Sequence, residues 1–266
     1  PQHKSFKERL DPDGETEQLV KAFSSPLVRG GARLLGVETS EMKDATKNYE
    51  RLTSGSERHA AVLGPLGWSM FGSTSVDDYE KAAGLVEQGK VEEAEELLTA
   101  SWNEDDCLRL NWAVHRVRSL YGGDEEREAI GFARQRLVRE ALDLHKEERY
   151  AAAIPLVLAQ IDGVFLDMTG ETIHDYFFKP KNPNLLDDET MAGHPLGLKA
   201  LATMMSKRVE STGLTGELVR HGIIHGRELA YDTLTNSTKA FVALLVVIER
   251  VKRPAKELSD AAFAAH

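Results

Sequence analysis

Cysteine is nearly absent: Cys107 is the only one in 266 residues. A single thiol excludes an internal disulfide, a cysteine-based zinc site and an iron–sulfur cluster. Glycine and proline are sparse, 21 and 9 residues, which excludes a collagen-like or linker-like chain. Long apolar runs are missing too. The longest, Ala240 to Ile248, is roughly half of what a membrane span needs, so no membrane association is predicted. The opening Pro1-Gln2-His3-Lys4 is polar, and no apolar signal segment is predicted there. The expected compartment is reduced and cytoplasmic. No glycine-rich loop ending in Lys-Ser/Thr is present, which argues against a nucleotide-hydrolysing motor. Positive charge is in deficit: 33 Lys and Arg against 43 Asp and Glu give a net charge of −10. That balance disfavours broad non-specific DNA binding but leaves room for a local basic groove.

What is there reads as helix. No alternating polar/apolar run is long enough to predict a sheet, so the expected fold class is all-α. Ser75, with Asp78 three residues on, predicts a helix start, followed by the stripe Tyr79, Ala82, Ala83, Val86 and a stop at Gly89. With a second helix from Val91 to Trp102, residues 75–102 form a helical hairpin. No second copy follows at a tetratricopeptide period, so no repeat is assigned. Further helices are predicted over 106–120, 124–148, 150–168, with Pro155 near the start of the last, and 195–209. The strongest signal is 237–253, with apolar positions 241, 244, 245 and 248 and Pro254 just beyond. A weak helix is predicted over 16–23, with loops at 24–31 and 53–55. The acid-rich stretch 87–106 reads as a solvated face. Residues 169–194 read as a long loop whose Tyr176, Phe177 and Phe178 tuck under the core. The expected division is a helical N-terminal region, 1–123, and a helical bundle, 124–266.

Chemistry concentrates in 217–240. Arg220, His221, His225, Arg227 and Glu228 fall within nine residues, separated by Gly222 and Gly226. Two glycines are costly in a plain helix, about 1 kcal/mol each against alanine, so a close backbone approach is expected. Five of the nine histidines, His3, His59, His115, His145 and His266, are scattered singly and read as surface or satisfied core groups. Two chemistries compete for the cluster. On a continuous helix, His221, His225 and Glu228 share one face and form a metal-ligand set, to which Asp162 and Asp167 are further carboxylate candidates. Against this, Arg220 and Arg227 repel a cation. The other chemistry uses the arginines: a guanidinium holds phosphate as a planar fork, and an imidazole exchanges protons near neutral pH. Together these suit metal-free phosphodiester cleavage by the 2′-hydroxyl of RNA. From 215 to 254, six basic residues stand against four acidic ones, a local excess of about two positive charges on an acidic chain.

The element Arg220-His221-Gly222-Ile223-Ile224-His225, an arginine, four residues and a histidine, resembles the signature of HEPN domains. The order that follows, His225-Gly226-Arg227, Tyr231, Asn236-Ser237 and Lys239-Ala240-Phe241, resembles that of a bacterial subgroup of that family. Upstream, Tyr150, Ala153-Ile154-Pro155 and Gln160-Ile161-Asp162-Gly163 resemble the subgroup's preceding helix. The likeness covers roughly 125–255. It implies a HEPN-like helical bundle, with residues 1–123 as a helical extension. It also implies a nucleotide-binding or ribonuclease module of a bacterial defence or toxin–antitoxin system, with no cofactor. RNA is then the substrate, a second copy completes the site as a homodimer, and an antitoxin or defence-complex protein is a possible partner. By the resemblance, Arg220 holds the scissile phosphate and His225 is the general acid or base. His221 stands where many active members carry a polar residue such as Asn, and offers a second proton-transfer group. Arg227, Tyr231, Asn236 and Lys239 are candidates to line the substrate cleft. Two other readings stay open: a non-catalytic HEPN-like module binding RNA, nucleotide or a partner, and a helical metalloprotein using His221, His225 and Glu228.

Overall fold

A computed structural model describes residues 58–70, 74–170, 172–173 and 195–251. The predicted elements at 16–23, 24–31 and 53–55, most of the 169–194 loop with its three aromatics, and the end of the last helix lie outside the described residues. The fold class is all-α. After a helical turn at 58–63 and a short 3-10 turn at Gly64–Leu66, the helices are α1 (Val76–Glu87), α2 (Val91–Ser119), α3 (Glu125–Lys146), α4 (Tyr150–Thr169), α5 (Pro195–Ser206), α6 (Arg220–Ile224) and α7 (Leu234–Val251). Among the described residues the only β-type pairing is an isolated bridge between Gly213 and Glu228.

Local chemistry accounts for the helix ends. The Ser75 hydroxyl accepts the Asp78 amide at the start of α1, and Asp77 and Asp78 sit in its first turn. Asp124 caps α3 through the Arg127 amide, with three glutamates in the first turn and His145 and Lys146 in the last. Gly170, at φ +72°, ends α4 in the left-handed conformation. The predicted break between 91–102 and 106–120 is present inside α2. Its backbone leaves helical geometry at Glu104–Cys107, and Asp105, Asp106 and Cys107 are left-handed, with φ of 49°, 55° and 61°.

α7 is the centre of the molecule. Every residue from Asn236 to Ile248 is buried, so the helix expected from positions 241, 244, 245 and 248 is covered on all sides. α2 and α4 pack on it, α3 bridges α2 and α4, and α1 lies on α2. One continuous cluster of buried side chains runs from Ala60 through Trp102, Val114, Leu142 and Leu158 to Val251. It crosses residue 123 without interruption, so the described residues on both sides share one core. At about 25 cal/mol per Å² of buried apolar surface, such all-round burial makes α7 a major contributor to cohesion.

α4 is, among the described residues, the one helix long and apolar enough to cross a membrane by length and composition. Here Ile154, Val157, Leu158, Ile161, Val164 and Phe165 are buried in the core. Its two charges, Asp162 and Asp167, each meet an arginine from another element. Arg134 of α3 pairs with Asp167 and donates to Gln160 at 3.0 Å, and the Tyr121 hydroxyl donates to Asp167 at 2.7 Å. This clamp locks α3 to α4.

Candidate functional site

The segment after α5 folds back on itself around α6, and backbone hydrogen bonds explain its glycines. The Gly222 carbonyl accepts both the Arg227 and the Glu228 amides, at 2.6 and 3.1 Å. A Cβ on Gly222 would stand 3.0 Å from side-chain carbons of Glu228 and Val209, so the expected close approach is here. Gly226 turns the chain at φ +63°, a region that side-chain-bearing residues seldom occupy. α6 therefore stops at Ile224, and His225 caps it.

Ending α6 there takes Glu228 off the face that His221 and His225 share. The Glu228 side chain is buried, and its carboxylate accepts the Thr215 hydroxyl and the amides of Thr215, Gly216 and Ala230 at 3.0 to 3.1 Å. Burial opposes its charge, but those donors outweigh burial and hold the carboxyl below its usual range. The set His221, His225 and Glu228 therefore does not converge. Among the described residues, no group of three or more His, Cys, Asp or Glu side chains is placed to hold a metal ion. Glu228 is instead the staple that closes the 213–230 segment.

The other polar groups of the motif do gather. The His221 and His225 rings lie 4.7 Å apart between centroids, tilted by 50°. His225 is exposed and His221 half-buried. The Val209 amide donates to His221 Nδ1 at 3.3 Å, and Arg227 donates to the Val209 carbonyl at 2.7 Å. Desolvation, then the charges of His225, Arg227, Arg208 and Arg220, push His221 below the ordinary histidine range. With Nδ1 accepting a hydrogen bond, the neutral ring carries its proton on Nε2 and presents a donor.

Arg220 forms an ion pair with Asp162 of α4. Burial raises the Asp162 carboxyl above its usual range, against the pull of Arg220. Both residues line a cavity of about 600 Å³ between α4 and α6.

Three of the candidate cleft residues hold the fold together. The Tyr231 hydroxyl donates to the Ala151 carbonyl at 3.0 Å. Asn236 Nδ2 donates to the carbonyls of Gly216 and Tyr231, at 2.8 and 3.0 Å. Lys239 is buried, pairs with Glu95 of α2, and sits 5.5 Å from the Trp68 ring centre. Asn236 and Lys239 face a second cavity of about 540 Å³, near Gly67 and Met204, and not the one that Arg220 lines. Arg227 alone of the four stays beside the histidines.

Arg208, outside the 217–240 window, joins the cluster through the fold-back. The role of Asp162 had a signal in the sequence: it and Asp167 are the only charges in the twenty residues of α4, and a charge in an apolar helix needs a partner. A buried polar network also lies away from the motif. His145 of α3 contacts the Ser237 hydroxyl at 2.7 Å and Asn103 Oδ1 at 2.6 Å, so His145 is the satisfied core histidine that its isolation in the sequence predicts.

No family model, curated protein or solved structure matches this chain.

Proposed function

We propose that the chain is a metal-independent endoribonuclease whose site is built from Arg220, His221 and His225 and completed by a second copy of the chain. The observation that carries this reading is the His221–His225 pair, 4.7 Å between ring centres, with His225 exposed, under the charges of Arg208, Arg220 and Arg227. On a chain of net charge −10, such a patch attracts an anion to one place. The HEPN-like spacing of Arg220 and His225 supports the same reading.

In the proposed reaction Arg220 holds the phosphate and the charge that builds on it. The RNA 2′-oxygen loses its proton to His225 and attacks phosphorus. The bond from phosphorus to the 5′-oxygen breaks, and a second acid protonates that oxygen. The products are a 2′,3′-cyclic phosphate and a 5′-hydroxyl. In-line attack needs base and acid on opposite sides of phosphorus. Rings 4.7 Å apart leave no room for a phosphate between them, so His221 and His225 approach from one side. His221, with Nε2–H outward, serves as a hydrogen-bond donor to a phosphate oxygen. The opposing acid is then the same His225 of a second copy, in keeping with the commonest symmetry of soluble oligomers.

The test is cleavage of RNA by the purified chain in excess EDTA, beside Arg220→Ala and His225→Ala, with product ends identified. Cyclic phosphate ends are expected, with a loss of at least a hundredfold in either variant while helicity is kept. Because each site takes one His225 from each copy, a dimer of one native and one His225→Ala chain should be inactive, so excess His225→Ala chain should suppress native activity by more than dilution. Cleavage that EDTA abolishes, or that survives His225→Ala, overturns the proposal. RNA binding without cleavage leaves a non-catalytic RNA-binding module.

A further inference from the structure

The cavity beside Arg220 has the dimensions and chemistry of a ligand site in its own right. Its volume of about 600 Å³ is ample for a nucleoside, within the range of small-molecule sites. Ala159, Leu166 and Ile224 supply an apolar wall. Leu166 and Ile224 are each 46% exposed, much for large side chains that meet across one cleft. On the polar side stand Asp162 and Arg220. The Asp162 side chain keeps 24% of its exposure and the Arg220 side chain 35%, so a ligand in the cavity can reach both.

We propose that this cavity is a base subsite and that it takes guanine. The proposal rests on the reading of Arg220 as the group that holds phosphate, and it adds a substrate preference to that reading. A carboxylate accepts hydrogen bonds and donates none, with about four lone-pair positions. Asp162 gives one oxygen to Arg220 and retains capacity for more donors. Among the four RNA bases only guanine presents two adjacent N–H donors, N1–H and the N2 amino group, on its Watson–Crick edge. Adenine and cytosine set an acceptor beside their amino group, and uracil flanks its single N–H with two carbonyls. Those acceptors repel a carboxylate. Base edges of this kind are open to proteins in unpaired RNA.

The arrangement orders a nucleotide end to end. The ring packs on Leu166 and Ile224, its donors meet Asp162, and Asp162 in turn orients Arg220. The guanidinium has five N–H donors in a fixed fork and keeps several for the phosphate attached to that nucleoside. Asp162 is short of compensation in the free chain, because burial raises its carboxyl in spite of Arg220, so two further donors are favourable there.

The test is calorimetric binding of the 3′-monophosphates of guanosine, adenosine, cytidine and uridine to the full chain, together with mapping of cleavage sites on a mixed-sequence RNA. The guanosine nucleotide should bind at least tenfold tighter than the other three. Asp162→Asn, which presents a donor where a second acceptor is needed, should bring the four to within about twofold. Leu166→Trp fills the cavity from a half-exposed position, and should weaken the guanosine nucleotide about tenfold while helicity and inorganic phosphate binding persist. That variant decides the matter if Asp162→Asn fails to fold. Equal affinity for all four nucleotides, no binding of any, or a guanine preference that survives both variants overturns the proposal. Guanine-selective binding without RNA cleavage upholds the subsite and removes the nuclease reading. Cleavage with no preference for guanine does the reverse.

Discussion

Pro155 leaves one carbonyl of α4 without its helical partner, because it has no N–H to give to residue 151, four positions back. The Tyr231 hydroxyl fills that place, donating to the Ala151 carbonyl at 3.0 Å. A proline that reads in the sequence as merely tolerated near a helix start thus fixes where Tyr231, eighty residues beyond Ala151, must dock. The sequence could suggest Tyr231 as a cleft residue but not this use of it, since the partner is a backbone atom exposed by a missing proton. Tyr231→Phe should therefore lower stability by about 1 kcal/mol and leave RNA binding unchanged, measured by urea unfolding and by titration with a short RNA. Loss of RNA affinity at unchanged stability would return Tyr231 to the substrate. Glu228 shows the same limit: its spacing from His221 and His225 suggests ligation only while the helix is assumed continuous. Gly226 ends that continuity.

Among the elements, α2 shows most clearly what the sequence can and cannot carry. Its two halves are legible from their apolar spacing, and the break between them is expected. What joins the halves is not: Asp105, Asp106 and Cys107 take three successive left-handed conformations, although none is a glycine. Each such residue costs roughly 1–2 kcal/mol relative to right-handed backbone, with Asp among the more tolerant. The turn is held from outside. Asp106 pairs with Lys146 at the end of α3 at 2.6 Å, and Cys107 is buried with its Sγ 3.4 Å from Asn103 Oδ1. Asp105 is exposed. Asp105→Gly should stabilise the protein by about 0.5–1 kcal/mol, seen as a higher urea midpoint at unchanged slope. A lower midpoint would show that the aspartate contributes more than its strain. For α7 the helix is legible from its apolar run, but its burial on all sides is not, because a run read alone does not say how many neighbours it meets.

At the scale of the whole molecule, the all-α class follows from periodicity, whereas the sharing of one core across residue 123 follows from contacts distant in sequence. His145 ties those distant parts together. It belongs to α3, while Asn103 belongs to α2 and Ser237 to α7. Asn103 Nδ2 donates to the Thr99 carbonyl and to Thr238, which turns its oxygen toward His145. His145 Nε2 then donates to Asn103, and Nδ1 accepts from Ser237. Burial, with a smaller push from Lys146, lowers this histidine to about 4, against about 6.5 in an unfolded chain. Between those values the unfolded chain binds a proton that the folded one does not, so stability rises with pH across the window and is lost as pH falls through it. The loss from this group should approach about 3 kcal/mol, and His145→Gln should flatten the dependence between pH 6.5 and 4 in thermal unfolding. An unchanged slope in that variant would place the acid sensitivity elsewhere.

The central position of α7 also sets an order of events at the ribosome. Sixty-four residues separate the end of α4 at Thr169 from the start of α7 at Leu234. At roughly 5–20 residues per second, that is about 3 to 13 seconds of synthesis. Throughout that interval α1 to α4 are complete while the helix that fills the space between α2 and α4 does not yet exist. The apolar faces they will close on it stay open, and a nascent chain stalled in this window is the form that chaperones would be asked to hold.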